Sequence, residues 1–484
     1  MTVLTAPPTR PSAARGTRIR PALLLGVVGG IVGFLGSWNP SYWGDEAASV
    51  MSASRSWPSL AAELSTIDAV HGVYYVFLKL WTTFFGTSEL ATRLPSAIAA
   101  GLMVTGTVVL VRHFGDSRLA VIAGVVAIVL PRTTFMATEA RSYAMGAAAA
   151  VWLTVLLVTL IRRRSASRWW IVYGVAMAGS VYLFLHLGLL LVVHGAYLLL
   201  AGRDVVRHWV KSAILALVLA APMVRLGYAQ REQIDFLSRR HYATAENVLV
   251  NQWFGSVPLA VLCWTLIVVA LVVLIRNRRP LGILALAWLV VPTAALLVGN
   301  ATLSPIYNVR YLTFSTPAAA ILIAVGVATV ARFRMPAAAV LVAAVVLLAV
   351  PTYFAQRTPW AKDGGSDWRL VAEYVQANAH PGDAVIFDQT TKPSRDPRLA
   401  LRLYPNSFTG LRDIALVTPF DETSGLWDRV APLADTPAGT DVWAVELAHG
   451  NELPADVALL EAQGYRLDSS TLIHRTTVYH LIKE

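Results

Sequence analysis

The stretch PALLLGVVGGIVGFLGSWNPSYWGDE, residues 21–46, decides how this chain is read. No residue from Pro21 to Gly44 is charged. At about 1.5 Å per helical residue, that run can cross a hydrocarbon core of about 30 Å. Asp45 and Glu46 follow at once, where the span leaves the membrane. Adjacent carboxylates at that boundary are costly to dehydrate, which points to chemistry at the lipid–water interface rather than to support of a fold.

Composition agrees with a membrane chain. The 484 residues are 56% hydrophobic and 14% charged, against about 25% charged in soluble domains. The formal charge of +11 does not imply nucleic acid, because the arginines cluster in short runs between apolar segments, as topology demands. Cys263 is the single cysteine, so no disulfide or thiolate metal site forms within the chain. Arg10, Arg15, Arg18 and Arg20 precede the first span, which reads as an uncleaved signal anchor with a cytoplasmic basic N-terminus, residues 1–20.

Uncharged windows then give about eleven transmembrane helices: Pro21–Trp38, Leu94–Val111, Leu119 to about Met136, Tyr143–Ile161, two from Trp169–Ala201 broken near His186–Gly188, Trp209–Val224, Ser256–Ile275, Leu281–Gly299, Tyr311–Ala331 and Pro336–Phe354. His71–Phe85 reads as an amphipathic helix lying on the outer surface, with Trp81, Phe84, Phe85 and Lys79 suited to an interface. That choice keeps every major basic cluster inside. The expected fold is an all-α polytopic membrane domain over residues 21–355. A small extracytoplasmic α/β domain follows over 356–484, with a helix at Asp367–Ala379, a strand at Ala384–Phe387 and further alternation at Leu426–Leu433, Val442–Val445 and Pro454–Gln463.

Four polar features meet at the outer face on this topology. They are Asp45-Glu46; His71 with Tyr74, Tyr75 and Lys79; Glu139-Ala140-Arg141-Ser142-Tyr143; and Tyr307-Asn308-Val309-Arg310-Tyr311. Arg93 starts a span from the same side. A carboxylate can take a proton from an attacking hydroxyl. Arginine and lysine can hold a phosphate leaving group, and Tyr, Trp and His suit a sugar. The chemistry indicated is group transfer from a lipid-borne phosphate. No GxGxxG or P-loop points to a soluble nucleotide donor. No cofactor is indicated with certainty; a divalent metal is possible through Asp45, Glu46, Glu139 and His71, but no spacing compels one. Gln230, Gln233, Asp235, Arg239, Arg240 and His241 read as a solvated outer face, and His186 and His194 as lone histidines on apolar helices.

The order of these motifs resembles the GT-C superfamily of membrane glycosyltransferases. The branch includes protein O-mannosyltransferases, the aminoarabinose transferase of lipid A and RgtA/B/C/D-like enzymes. The matching pieces are Gly44-Asp45-Glu46, His71-Gly72-Val73-Tyr74-Tyr75, Thr92-Arg93-Leu94-Pro95-Ser96-Ala97, Glu139-Ala140-Arg141-Ser142-Tyr143 and Arg310-Tyr311-Leu312. The resemblance implies inverting transfer from a polyprenyl-phosphate sugar on the extracytoplasmic side of the plasma membrane. It makes Asp45 the catalytic base, with Glu46 beside it. Arg310, Arg141, Lys79, His71, Tyr307 and Tyr311 fall to the donor phosphate and sugar; Glu139, Tyr74, Tyr75 and Arg93 fall to the acceptor or a second acidic motif. Relatives often carry His-Pro-Pro where this chain has His71-Gly72-Val73, which leaves the role of His71 open. The Ala-, Val- and Arg-rich composition points to a high-GC bacterium, so mannose or arabinose and a cell-envelope glycolipid or polysaccharide acceptor are expected. Protein O-glycosylation, a lipid-linked sugar transporter and a non-catalytic scaffold are the alternatives.

Overall fold

The structure, a computed structural model, describes residues 16–164, 166–201, 203–277, 280–332, 334–433, 440–448, 450 and 452–483. Arg10 and Arg15 of the expected basic N-terminus lie outside the described residues. In chain order the helices are α1 (Gly16–Phe34), α2 (Gly44–Ser54), α3 (Trp57–Thr66), α4 (Gly72–Phe85), α5 (Glu89–His113), α6 (Ser117–Val129), α7 (Pro131–Met136), α8 (Tyr143–Arg163), α9 (Ser167–Leu183), α10 (Leu189–Ala201), α11 (Val206–Ala229), α12 (Val257–Asn277), α13 (Pro280–Thr302), α14 (Thr316–Val330) and α15 (Met335–Ala355).

Every expected span contains a helix, but not all are of spanning length. Among the described residues, seven helical stretches are long and apolar enough to cross a membrane; Arg20–Phe34, Ser117–Val129 and Leu185–Leu200 are shorter apolar helices. The chain is therefore a multi-pass membrane protein, and helix length alone does not establish the count of eleven. The expected span Leu119–Met136 is interrupted: α6 stops at Val129, Leu130 turns to φ −56°, ψ 127°, and α7 restarts on Pro131. Proline has no N–H to continue the ladder and disfavours helical backbone in the residue before it. The break expected near His186 is present, as a 3-10 turn at Leu185–Gly188 after the extended Phe184.

Local chemistry sets many of the boundaries. Ser56, Ser88 and Asp116 accept the N–H of the residue three positions on and cap α3, α5 and α6. Gly86 ends α4 at φ +78°. Gly26, Gly30 and Gly101 let α1 and α5 pack backbone to backbone: a Cβ on Gly101 would stand 2.5 Å from the Gly26 carbonyl oxygen. Small residues serve this purpose inside membranes, where close contact replaces the hydrophobic drive. Large apolar side chains remain exposed along the helices, including Leu24, Ile31, Leu217, Val218, Val261, Val340 and Leu347. Such faces belong against lipid.

The chain alternates between two ends of the bundle. The turns after α5, α8, α10, α12 and α14 carry the basic clusters, including Arg112, Arg118, Arg162, Arg168, Arg207, Arg276 and Arg332. The connections at the opposite ends of these helices carry Asp45, Arg141, His186, Arg240 and Arg310.

Beyond α15 the chain forms a sheet region packed on the second end. It contains α16 (Trp368–Asn378), β1 (Ala384–Phe387), α17 (Leu399–Leu403), β2 (Arg412–Asp413), β3 (Leu416–Thr418), β4 (Arg429–Val430), β5 (Val442–Leu447), α18 (Ala455–Ala462), β6 (Tyr465–Leu472) and β7 (Thr476–Lys483). The main sheet has the order β2-β1-β5-β7-β6, parallel through β2, β1 and β5 and antiparallel through β7 and β6. The expected helix, strand and turn from Asp367 to Phe387 match α16 and β1. Of the expected alternation at Leu426–Leu433, only the two-residue β4 is a strand. One face of the sheet packs Phe387, Trp443 and Val445 with Trp368, Val371 and Val375 of α16 and with Tyr42, Ala47 and Val50 from the first loop. The sheet region and the start of α2 thus share one core.

A buried ion pair fastens the same junction. Arg55 Nε lies 2.6 Å from Glu63 Oε2, and both side chains are fully buried. Arg55 Nη1 donates to the Thr423 carbonyl at 2.9 Å, and Ser52 donates to Glu63 at 2.6 Å. Removing one partner of such a pair strands the other charge, at about 3–5 kcal/mol. Arg55→Ala is therefore expected to lower the thermal midpoint and to speed protease cutting in residues 420–430. An unchanged midpoint and cutting rate would show that this clamp is dispensable.

Candidate active site

A cavity of about 940 Å³ opens where the first loop, the α7–α8 hairpin and the α9–α10, α11–α12 and α13–α14 connections meet the sheet region. Its wall includes Asp45, Asp68, His71, Arg141, His186, Arg310 and Tyr311, with Lys392, Ser394 and Trp427 from the C-terminal part. Six lysines and arginines line it against three aspartates, Asp45, Asp68 and Asp363. Asp363 is already paired with Arg395 at 3.0 Å. The excess positive charge suits an anionic ligand.

Asp45 reaches the cavity because of how α2 begins. Trp43 precedes the helix in extended conformation (φ −135°), and Asp45 and Glu46 occupy the first turn, where carboxylates are favoured by the helix dipole. Successive helical residues point about 100° apart. Glu46 therefore turns into the protein while Asp45 turns to the cavity. Gly44 is required at this start: a Cβ there would run into the Ser394 carbonyl.

Asp45 Oδ2 forms a short ion pair with Arg310 Nη1. Arg310 lies over the Trp43 ring, 4.7 Å from its centroid, and the Asn308 side chain accepts its backbone N–H at 3.0 Å. Arg141 Nη1 donates to the Asp45 carbonyl and to Ser49 Oγ, each at 3.1 Å. Burial by itself would raise the Asp45 pKa, but Arg310 and Arg141 together hold it below the usual carboxylate range.

Arg141 Nη2 stands 2.9 Å from His71 Nε2. A guanidinium only donates, so that nitrogen accepts and the imidazole is neutral. Burial, then the charge of Arg141, push the His71 pKa well below its ordinary value. Asp68 is bound by Tyr75, whose hydroxyl donates to Oδ2 at 2.7 Å. Burial raises the Asp68 pKa, opposed by Arg141 and reinforced by Asp45. His186 stacks on Tyr311 with ring centroids 4.5 Å apart.

The expected site residues divide into two groups. Asp45, His71, Arg141, Arg310 and Tyr311 meet in the cavity, and Tyr75 stands directly behind it. The others lie elsewhere. Glu46 is fully buried, taking Arg93 Nε at 2.7 Å and the Ala140 N–H at 2.8 Å. Arg93 also donates to the carbonyls of Ser37 and Pro40 at 2.7 and 2.8 Å; both residues knit elements together. Glu139 is sealed beside Lys362 at 3.7 Å. Burial raises the Glu139 pKa and lowers that of Lys362 to about 8. Lys79 donates to the Ala53 and Arg55 carbonyls and lies over Trp57 at 5.1 Å. Tyr74 packs with Ala53, Leu60 and Leu78, and Tyr307 donates to Gln252 at 2.7 Å.

Sequence reasoning passed over Asp68, Trp43, Trp427, Lys392 and Asp363 as wall residues. It read Gln230, Gln233, Arg239 and Arg240 as a solvated face, yet the two arginines line the cavity. Gln230 and Gln233 accept the N–H groups of Ala69 and Asp68 at 2.9 and 3.1 Å. The His71–Asp68 spacing beside two tyrosines was the available signal for Asp68. Among the described residues, no cluster of three or more His, Cys, Asp or Glu is disposed to hold a metal ion.

Comparison with known proteins places this geometry. Residues 72–226 match the family described as dolichyl-phosphate-mannose-protein mannosyltransferase. The chain superimposes on ArnT from Cupriavidus metallidurans in the apo state, with TM-score 0.56 and 16% identity over 97% of this chain and 98% of that one. The same protein bound to undecaprenyl phosphate gives TM-score 0.55 at 16% identity and the same coverage. The Archaeoglobus fulgidus oligosaccharyltransferase complexed with zinc and sulfate gives 0.51 at 12% identity, over 89% of this chain and 68% of that one. No curated protein sequence matches. The chain is a polytopic membrane protein with the GT-C fold.

The buried pair yields a prediction that separates neighbours in sequence. Glu46→Gln removes a fully desolvated charge partner of Arg93 and should lower the thermal midpoint markedly. Asp45→Asn, at the half-exposed cavity wall, should leave that midpoint within a few degrees of wild type. Equal destabilisation by both substitutions, measured in the same lipid nanodiscs, would contradict the division.

Proposed function

We propose that the protein is an inverting glycosyltransferase that moves a sugar from a polyprenyl-phosphate donor to an acceptor hydroxyl at the outer face of the plasma membrane. The observation that carries this reading is the Asp45–Arg310 pair in a cation-rich cavity. A carboxylate and a guanidinium that touch each other there are suited to an attacking hydroxyl and a departing phosphate. ArnT, of the same fold, is known bound to undecaprenyl phosphate, which supports a lipid-phosphate donor. The basic turns at the opposite end of the bundle support an outward-facing site under the positive-inside rule.

The mechanism begins with exchange of partners. A donor phosphate arriving at Arg310 competes with Asp45 for the guanidinium, and the freed carboxylate turns to the acceptor. Asp45 takes the hydroxyl proton as the acceptor oxygen attacks the anomeric carbon from the face opposite the phosphate. The bond from that carbon to the phosphate oxygen breaks, its electron pair stays on the phosphate, and configuration inverts. Arg310 and Arg141 stabilise the polyprenyl phosphate that leaves, and Asp45 later gives its proton to water. His71 remains neutral and serves as a hydrogen-bonding wall, with Tyr311 and His186 lining the sugar space.

Mannose or arabinose on a decaprenyl-type carrier is the sugar this reading favours, with a cell-envelope glycolipid or polysaccharide as acceptor. The match of residues 72–226 to a protein mannosyltransferase family favours a protein hydroxyl as the second reading.

Asp45→Asn should reduce transfer from a labelled polyprenyl-phosphate sugar by at least about 100-fold, the lower range for a lost general base, while the protein still binds undecaprenyl phosphate. Arg310→Ala should weaken both binding and turnover. Full turnover by Asp45→Asn would reject it as the base.

A further inference from the structure

We infer that Trp427 and Asp68 form a sugar-ring subsite for the acceptor, at the seam between the first loop and the C-terminal sheet region. The inference rests on the glycosyltransferase reading and deepens it, by naming the acceptor as a glycan rather than a bare polypeptide hydroxyl.

Hydrogen bonds link the groups of the cavity wall. Arg310 holds Asp45. Arg141 joins the Asp45 backbone to the Tyr75 hydroxyl, and Tyr75 holds Asp68. Two residues before Asp68, Thr66 donates to the Ser424 carbonyl at 2.5 Å, on the loop that carries Trp427. Arg310 and Trp427 line the same cavity, Arg310 paired with the proposed base Asp45 and the Trp427 loop tied to Thr66 beside Asp68. A donor phosphate held at Arg310 leaves Trp427 for the attacking molecule.

Both groups are held ready before any ligand arrives. Trp427 packs partly on the core shared by the sheet region and α2, yet it lines the cavity. The next residue, Asp428, accepts Arg402 Nε and the Phe420 N–H, each at 2.7 Å, which fixes the indole's backbone. Asp68 adopts a left-handed conformation at φ +59°, uncommon for a residue with a side chain, and Gln233 holds its N–H at 3.1 Å. Strained backbone of this kind collects at functional sites.

The chemistry fits a carbohydrate. A sugar ring offers an apolar C–H face and a rim of hydroxyls. The face packs on a rigid indole, and a rim hydroxyl donates to the carboxylate. Tyr75 occupies Oδ2 of Asp68, and a carboxylate has about four acceptor positions, so capacity remains for a hydroxyl.

The test uses the full chain in lipid nanodiscs, with methyl α-D-mannopyranoside and methyl α-D-arabinofuranoside as sugar probes and undecaprenyl phosphate as the donor-side probe. Binding is read by ligand-observed saturation transfer. Wild type should bind at least one methyl glycoside. Trp427→Ala should weaken it about tenfold, the upper range for one aromatic contact, whereas Trp427→Phe should retain most of the affinity. Asp68→Asn should weaken it less. Undecaprenyl phosphate should bind all variants equally. Undiminished glycoside binding by Trp427→Ala, or no binding by wild type, overturns the subsite. Loss of undecaprenyl phosphate binding in Trp427→Ala reassigns the indole to the donor and also overturns it. Failure of wild type to bind undecaprenyl phosphate sinks the donor reading separately.

Discussion

Glu46 and Arg93 face each other with no water between them, Nη2 to Oε2 at 2.6 Å and Nε to Oε1 at 2.7 Å. The remaining capacity of both groups is spent on backbone. Arg93 gathers the carbonyls of Ser37, Pro40 and Ser41, and Glu46 accepts the N–H of Ala140. One desolvated pair thereby fixes the end of the first helix, the start of α2, the head of α5 and the α7–α8 hairpin. Charges removed from water persist only when paired and fully hydrogen-bonded, so this arrangement tolerates little displacement. Asp45 inherits that rigidity. Its neighbour is anchored inward, and helical geometry leaves Asp45 one direction, toward the cavity and Arg310.

The same economy governs the site's positive side. Arg310 and Arg141 come from connections far apart in sequence, yet both contact residue 45, one through its carboxylate and the other through its carbonyl. The chain brings them together with loops rather than helix interiors, where polar backbone can meet water. The membrane helices contribute little chemistry. They hold five connections at one end, at fixed separations, and the sheet region closes the cavity above them with Lys392, Ser394 and Trp427. That closure is integral to the fold, since Trp368 and Val375 share a core with Ala47 and Val50 of α2.

Much of this was readable from the residues alone, and the failures have a common cause. Hydropathy placed a helix at every expected span, because an uncharged run in lipid has few alternatives to helix. It missed the break at Pro131, where the local rule for proline outweighed the apolar pattern. The polar motifs gather at one end of the bundle, but the letters did not give the direction of each side chain. Asp45 and Glu46 are indistinguishable as letters, and one residue of helical rotation separates a cavity carboxylate from a buried strut. The side-chain directions of Arg93, Glu139 and Lys79 were hidden in the same way: each is a charge at the cavity end of the bundle whose partner, respectively Glu46, Lys362 and two backbone carbonyls, lies too far along the chain or in the backbone to be seen. Asp68 escaped notice for the opposite reason. An isolated aspartate in a loop looks solvated until Tyr75, Arg141 and Gln233 are found around it.

Asp45 and Asp68, both on the wall of one cavity, pose a final question of division of labour. Asp45 lies against two guanidiniums that outweigh its burial and favour the ionised form. Asp68 meets Arg141 less directly, shares its field with Asp45, and is pushed the other way by burial. Environments that separate two like groups commonly assign them different tasks. In the proposed mechanism the ionised carboxylate beside Arg310 takes a proton as the hydroxyl attacks, once the incoming phosphate has drawn Arg310 away. In the proposed subsite, Asp68 holds a hydroxyl without removing its proton. On that proposal a single cavity orients an acceptor through one carboxylate and activates it through the other, and the separation of Asp45 and Asp68, bridged by Arg141 and Tyr75, is the structural variable that selects which hydroxyl of the acceptor reaches the anomeric carbon.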